Sequence, residues 1–143
     1  MQLASTNRSS RAEWYSAAVQ FAGTLLFNLS TGAAVWAHAV KAERRYVWAP
    51  DATGSLAFLI SGALGMVAVT AAAGVIELRS RDWIAAAVNL IGCMAFGVSA
   101  LAAFVRVSGI TADELLANLG TFVGALCFLV AALLELPRSP RPG

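Results

Sequence analysis

Residues 115–134 read LLANLGTFVGALCFLVAALL, a 20-residue stretch without Asp, Glu, Lys or Arg. The hydrocarbon core of a bilayer is about 30 Å thick, and a spanning helix needs about 20 mostly apolar residues to cross it. The stretch therefore predicts a transmembrane helix. Three further charge-free runs exceed this length, namely Trp14–Val40, Ala52–Ile76 and Trp83–Val105.

The composition agrees with a chain that is almost entirely membrane helix. Of the 143 residues, 59% are hydrophobic and 13% are charged, against about 25% charged in an average soluble domain. We expect a single membrane domain over 1–143, an all-α integral membrane four-helix bundle embedded in a lipid bilayer. The predicted helices are 14–40, 52–76, 83–105 and 115–136, with flexible tails at 1–9 and 137–143. The net charge of +2 gives no reason to expect a nucleic-acid partner.

Four spans place both termini on one face of the membrane, here called side A. Side A carries six basic residues and the opposite face, side B, carries four. Because basic residues are enriched in cytoplasmic loops, this excess predicts cytoplasmic termini. The use of nine Arg and one Lys suits a GC-rich bacterial genome, so the predicted location is a bacterial inner membrane.

A short pattern recurs in all four runs: Gly, then Phe four residues later, then Ser or Ala three residues after that. The first and third copies lie 69 residues apart and the second and fourth lie 70 apart, which predicts a duplicated helical hairpin (2+2). Positions i, i+4 and i+7 share a helix face, and small residues let helices approach closely in lipid. These faces either pack the bundle internally or meet a second copy or another protein. The predicted packing residues, including a GxxxG step in the last helix, are Gly23, Phe27, Ser30, Gly54, Phe58, Ser61, Gly92, Phe96, Ser99, Gly120, Gly124 and Phe128.

Three amides interrupt the apolar helices, at Asn28, Asn89 and Asn118. An unpaired amide is costly in hydrocarbon, so each is expected to face another helix or an interface. Together they either stabilise the bundle through hydrogen bonds or line a polar interior that admits a small substrate or ion.

Residues of catalytic or metal-binding type are isolated in this chain. His38 is the only histidine, and Cys93 and Cys127 lack the Cys-x-x-Cys spacing of a redox pair. No nucleophile–base set or cluster of metal ligands accompanies them. We therefore expect no enzyme activity, no catalytic or metal-binding residue and no cofactor.

The polar segment 41–51 combines basic residues with Tyr and Trp. This composition favours an interfacial loop at side B that contacts anionic headgroups or docks a partner. The residues expected to carry that role are Arg44, Arg45 and Trp48.

Several short motifs resemble those of the YrhK-like membrane protein family. They are residues 44–51 (RRYVWAPD), 54–55 (GS), 58–59 (FL), 83–84 (WI), 89–92 (NLIG) and 118–122 (NLGTF). The resemblance covers roughly Trp14 to Leu136 and implies the two-hairpin fold. It implies no mechanism, since no activity is established for that family.

The sequence thus predicts a small multi-pass membrane protein without catalytic chemistry. The first hypothesis is an interaction or accessory protein that packs through its Gly/Ser/Phe helix faces against its own helices, a second copy or another membrane protein. The alternative is a homo-oligomeric channel or uncoupled transporter with a path lined by Asn, Ser and Thr.

Overall fold

The computed structural model describes residues 2–73 and 79–136, which form helices joined by short turns. The elements are α1 (Gln2–Ala33), α2 (Val40–Ala42), a π-helical segment (Glu43–Trp48), α3 (Ala49–Ala73), α4 (Arg81–Ala102) and α5 (Glu114–Glu135). The only β-structure in the described residues is an isolated bridge between Val105 and Thr111. The prediction of an all-α fold is confirmed.

Three helical stretches of the described chain are long and apolar enough to cross a membrane, as expected of a membrane protein. They are Val40–Ala72, Arg81–Ala102 and Glu114–Glu135. Large apolar side chains such as Leu101 and Phe122 are exposed on their outer surfaces, which suits contact with lipid better than contact with water. The long helix α1 is not among the three, because polar residues interrupt its apolar run.

The observed helix bounds differ from the predicted ones mainly in the first half of the chain. Helix α1 begins at Gln2, so residues 2–9 are helical where the sequence predicts a flexible tail, and it ends at Ala33 instead of residue 40. The predicted interfacial loop 41–51 is helical and continues directly into α3. The predicted end of the second helix at 74–76 and the predicted tail 137–143 lie outside the described residues.

Side-chain caps fix the start of both helices in the second half of the chain. The Ser80 hydroxyl accepts a hydrogen bond from the backbone N–H of Trp83, and a carboxylate oxygen of Asp113 accepts one from Leu116. Such caps satisfy N–H groups that have no partner within the helix. The turn between the two helices reverses at Gly109, whose φ of 82° suits a residue without a side chain.

The four long helices pack in chain order. Helix α1 packs against α3, α3 against α4, and α4 against α5, whereas the described residues show no comparable contact between α1 and α5. One phenylalanine from each long helix meets the others at the centre, with ring centroids 5.2 to 5.4 Å apart. This central cluster consists of Phe27, Phe58, Phe96 and Phe128.

Candidate functional site

The predicted packing glycines lie inside the bundle and are paired with phenylalanines within each hairpin. A Cβ added to Gly23 would lie 2.8 Å from the ring of Phe58, and one added to Gly92 would lie 2.8 Å from the ring of Phe128. Each glycine thus provides the room that a ring from the neighbouring helix fills. Gly54, Gly120 and Gly124 make similarly close interhelical approaches, and Ser30, Ser61 and Ser99 are buried. These faces are therefore occupied within the chain.

Serine hydroxyls link the two helices of each hairpin. The Ser61 hydroxyl donates to the Ser16 carbonyl oxygen at 2.7 Å, and the Ser16 hydroxyl donates to the Ser61 carbonyl oxygen at 2.9 Å. In the second hairpin the Ser99 hydroxyl donates to the Ala117 carbonyl oxygen at 2.6 Å and lies 2.7 Å from the Thr121 hydroxyl. Such bonds hold helices together in lipid, where the hydrophobic effect contributes little.

Positions that correspond in the two hairpins contact one another. The sequence offset is 69 for α1 with α4 and 70 for α3 with α5. Two of these contacts join ring centroids 5.4 and 5.2 Å apart, and the third is an amide–amide hydrogen bond of 3.4 Å. The pairs are Phe27–Phe96, Phe58–Phe128 and Gln20–Asn89. Contacts between corresponding residues are those that a two-fold axis through the bundle produces.

A two-fold axis would make the α1–α5 interface a copy of the α3–α4 interface, which is tightly closed. A Cβ added to Gly62 would lie 2.9 Å from the Cys93 sulfur, and one added to Gly97 would lie 3.2 Å from Leu59. Gly62 therefore leaves no room for a larger side chain, whereas a side chain at Gly97 would require the end of Leu59 to shift.

The α1–α5 interface lacks both of these glycines. Ala132 of α5 corresponds to Gly62, and Asn28 of α1 corresponds to Gly97. Their side chains place a methyl group and an amide where the closed interface has only hydrogen atoms. Leu129, which corresponds to a half-buried leucine in α3, is 56% exposed. The α1–α5 interface thus carries larger side chains at both positions where the α3–α4 interface has glycine.

The separated helices leave an opening of about 1020 Å³, here called the α1–α5 cleft, with α3 and α4 as its floor. Its uncharged polar lining consists of Ser16, Gln20, Thr24, Ser61, Ser80 and Asn89. Small residues make up much of the remaining wall, and they include Ala17, Gly65, Ala68, Ala72, Ala86, Ala131 and Ala132. The mixture of amides and hydroxyls with small residues can hold a polar or helical occupant by hydrogen bonds and close packing.

Three exposed carboxylates lie at the side A end of the cleft, on Glu13, Asp82 and Glu135. The residues that line the cleft include no Lys, Arg or His. The guanidinium of Arg81 donates to the Leu133 carbonyl oxygen at 3.3 Å. Nowhere in residues 2–73 and 79–136 do three or more metal-ligand side chains form a group that could hold a metal ion. The residues that line the mouth of the cleft therefore carry three negative charges and no positive one, with Arg81 beside them.

The structure does not bring the three predicted asparagines together. Asn89 lies in the cleft wall, where its side-chain oxygen accepts the hydrogen bond from Gln20, whereas Asn28 and Asn118 are exposed. Asn28 falls on the helix face of α1 that also carries Gln20 and Thr24, at spacings of four and eight residues. This polar stripe of α1 consists of Glu13, Gln20, Thr24, Asn28 and Thr31.

The predicted side B residues have separate roles in the structure. The Arg44 side chain donates to the Val105 carbonyl oxygen at 2.6 Å and lies over the ring of Phe104. The indole N–H of Trp48 donates to the Ala100 carbonyl oxygen at 2.9 Å. These contacts explain why the segment is helical, since they hold it against the end of α4. Arg45 is exposed and lies over the ring of Tyr46.

The remaining predicted candidates form no catalytic or metal-binding group within the described residues, and the acidic mouth was not among the predictions. His38 is exposed, and Cys93 and Cys127 are free thiols. The signal for the mouth was present, because Glu13, Asp82 and Glu135 all flank charge-free runs at their side A ends.

Comparison with protein-family models, with curated proteins and with solved structures finds no match to this chain. The resemblance to YrhK-like proteins stays a prediction.

Proposed function

We propose that this chain is a non-enzymatic accessory protein of the bacterial inner membrane, with four spans and cytoplasmic termini, that binds another membrane component in the α1–α5 cleft. One observation carries the proposal: at the offsets of 69 and 70 residues that align the two hairpins, Asn28 and Ala132 stand where the closely packed α3–α4 interface has Gly97 and Gly62. A bundle with a blocked interface leaves a concave surface for another molecule. The matched contacts of the two hairpins support an origin by duplication, with the cleft as the point of divergence.

The polar stripe of α1 supports a role for this helix as the fourth span. Helix α1 packs along α3, and three of its polar residues, Glu13, Gln20 and Thr24, line the cleft. Polar side chains that face a cavity or another helix are tolerated within a membrane. The features that lower the mean hydropathy of α1 are therefore consistent with a span whose polar face belongs to a binding site.

A homo-oligomeric channel is the second candidate, and the same stripe favours it. The central phenylalanine cluster fills the middle of the bundle, so a polar path would have to run between copies along α1. The two candidates make different predictions for assembly, because the first requires a different molecule in the cleft and the second requires a closed ring of identical chains.

The decisive experiment closes the cleft. Asn28→Gly combined with Ala132→Gly restores both missing glycines, and we expect α1 and α5 to approach as α3 and α4 do. A photo-reactive phenylalanine analogue at Phe21, which lines the cleft, reports occupancy in native membranes. Leu29, also on α1, is the matched control, since Phe21 is 64% and Leu29 61% exposed.

We expect crosslinks to a distinct membrane component from position 21, few from position 29, and a marked loss at position 21 in the double-glycine variant. Equal crosslinking from both positions, or no effect of the double variant, would contradict the proposed site. Native mass spectrometry of the gently extracted protein then separates the two functions. A complex with a different molecule supports the accessory role, and a closed homo-oligomer supports the channel.

A further inference from the structure

We infer that the occupant of the α1–α5 cleft is a transmembrane helix of another protein that carries Lys or Arg immediately beyond the bilayer at side A. This inference rests on the proposed function and names the chemistry of the partner. It follows from the length of the polar stripe, the size of the wall residues and the sign of the charge at the mouth.

The length of the polar stripe matches a spanning helix. It runs from Glu13 to Thr31, and at a rise of 1.5 Å per residue this interval is roughly 27 Å long. The hydrocarbon core is about 30 Å thick. A small ligand in the cleft would cover only part of the stripe, whereas a helix parallel to α1 would cover it along its full length. Asn28, which is exposed and lies beyond the residues that line the cleft, would then gain a hydrogen-bonding neighbour.

The wall of the cleft suits the close approach of a helix backbone. Gly65, Ala68 and Ala72 succeed one another at helical spacing along α3, and Ala131 and Ala132 belong to α5. Small residues at such spacings let helix backbones approach closely and pack well in lipid. In the α1 wall of the cleft, the side-chain carbonyl oxygen of Gln20 has no hydrogen-bond partner among the described residues. A donor on the entering helix would satisfy it after a rotation of the amide.

The charge at the mouth of the cleft indicates which end of the partner helix lies at side A. Glu13, Asp82 and Glu135 present three carboxylates with no basic residue among those that line the cleft. Basic residues are enriched just beyond the cytoplasmic ends of transmembrane helices. With side A cytoplasmic, as proposed, a partner helix would bring its basic flank to this mouth.

Charge also argues against the other occupants of the cleft. Anionic lipid headgroups would be repelled by the three carboxylates. A second copy related by a two-fold axis along the membrane normal would place two acidic mouths at the same depth, and like charges in proximity are unfavourable. The basic flank of a different helix is the complementary arrangement.

A binding experiment with synthetic helices tests this inference. The probe is a peptide with 20 alternating Ala and Leu residues, one central Gln and three Lys at one end, and its control has three Ser in place of Lys. A fluorophore on Ser108→Cys, in the exposed side B turn, reports energy transfer to a label at the opposite end of the peptide. The full-length protein is reconstituted in phosphatidylcholine vesicles.

We expect the Lys peptide to bind about tenfold more tightly than the Ser peptide, as three partly exposed ion pairs would give. In a Glu13→Gln, Asp82→Asn, Glu135→Gln variant the two peptides should bind equally. The matched control neutralises three side B carboxylates, with Glu43→Gln, Asp113→Asn and Glu114→Gln, and should retain the preference. Asn at position 113 can still cap α5.

Equal binding of the two peptides to the unaltered protein would overturn the charge assignment. Binding of neither peptide, or energy transfer between two labelled copies of this chain instead, would overturn the assignment of a foreign helix. The proposed function is tested separately by the crosslinks from Phe21, which would remain if the occupant were a lipid or another class of molecule. The two failures are therefore distinguishable.

Discussion

The two helical hairpins of this protein share one packing scheme but leave different surfaces exposed. In both, a glycine of the first helix accommodates a phenylalanine ring of the second, and a serine hydroxyl bonds to a backbone carbonyl across the pair. The outer helix of the first hairpin, α1, carries the polar stripe, whereas most of the outer surface of α5 is apolar, with Leu119, Phe122 and Leu126 exposed.

The difference teaches that packing and binding are separable along a single helix. The face of α1 that includes Gly23 and Phe27 packs within its hairpin, as does the face of α4 that includes Gly92 and Phe96. The neighbouring face of α1 carries the polar stripe, of which Gln20 and Thr24 line the cleft. A change on one face therefore alters what the bundle can bind without altering how the hairpin is held together.

The largest expected effect comes from the central phenylalanines, and it should be unequal between the hairpins. Phe96 is 5% exposed and contacts three other rings, whereas the corresponding Phe27 is partly buried and contacts only Phe96 among the described rings. We expect Phe96→Ala to lower the free energy of unfolding by about 3 kcal/mol and Phe27→Ala by roughly half as much. Unfolding by dodecyl sulfate titration in mixed micelles measures both losses. Equal losses of unfolding free energy would contradict the expected difference between Phe96 and Phe27.

The second effect tests whether the two hairpins are equally tight. Gly23→Leu and Gly92→Leu each force a side chain against a ring that would lie 2.8 Å from the new Cβ. We expect both to destabilise the protein by about 2 kcal/mol through overpacking. Gly32→Leu is the control, since nothing lies within 4 Å of a Cβ at that position. The same titration applies, and a large difference between positions 23 and 92 would show that the hairpins are not equivalent.

The third effect concerns the interhelical hydrogen bonds of the serine hydroxyls, whose coupling energies are measured by double-mutant cycles. Ser61→Ala with Ser16→Ala probes the first hairpin, and Ser99→Ala with Thr121→Ala probes the second. Interhelical hydrogen bonds in membrane proteins contribute about 1 kcal/mol, so we expect a coupling energy of that order in each pair. A coupling near zero in one cycle would locate the difference between the hairpins in their hydrogen bonds.

The smallest expected effect distinguishes the cleft from the packed faces. Gln20→Leu removes an amide whose oxygen lacks a partner and whose hydrogen bond to Asn89 is long, at 3.4 Å. We expect the free energy of unfolding to change by less than about 0.5 kcal/mol, while crosslinking from position 21 falls. A stability loss as large as that of Gly92→Leu would mean that Gln20 serves the fold more than the binding site.

Much of the fold could be read from the sequence because its signals are local. Charge-free runs of spanning length and the Gly–Phe–Ser spacing indicate where helices lie and which faces carry glycine. The helical form of segment 41–51 could not be read in this way, since it depends on distant hydrogen bonds from Arg44 to Val105 and from Trp48 to Ala100. The helical form of residues 2–9 was also missed, because polar composition alone does not separate a helix from a flexible tail.

Less of the candidate site could be predicted from the sequence, because the cleft depends on how the helices pack against one another. Asn28, Asn89 and Asn118 are alike in type, yet only Asn89 lines the cleft, because exposure depends on which helix covers which face. The opening itself results from a missing contact, which no local pattern reports. It becomes visible only when Asn28 and Ala132 are compared with the glycines at the corresponding closed interface.

The α1–α5 cleft lies between the first and the last long helices of the chain, and this has a consequence for biosynthesis. Helices leave the ribosome in order, so the contacts of α1 with α3, of α3 with α4 and of α4 with α5 can each form as the later helix is inserted. The cleft gains its second wall only when α5 has entered the membrane. A partner is thus received only after α5 has been inserted, which makes the insertion of this helix a checkpoint for assembly.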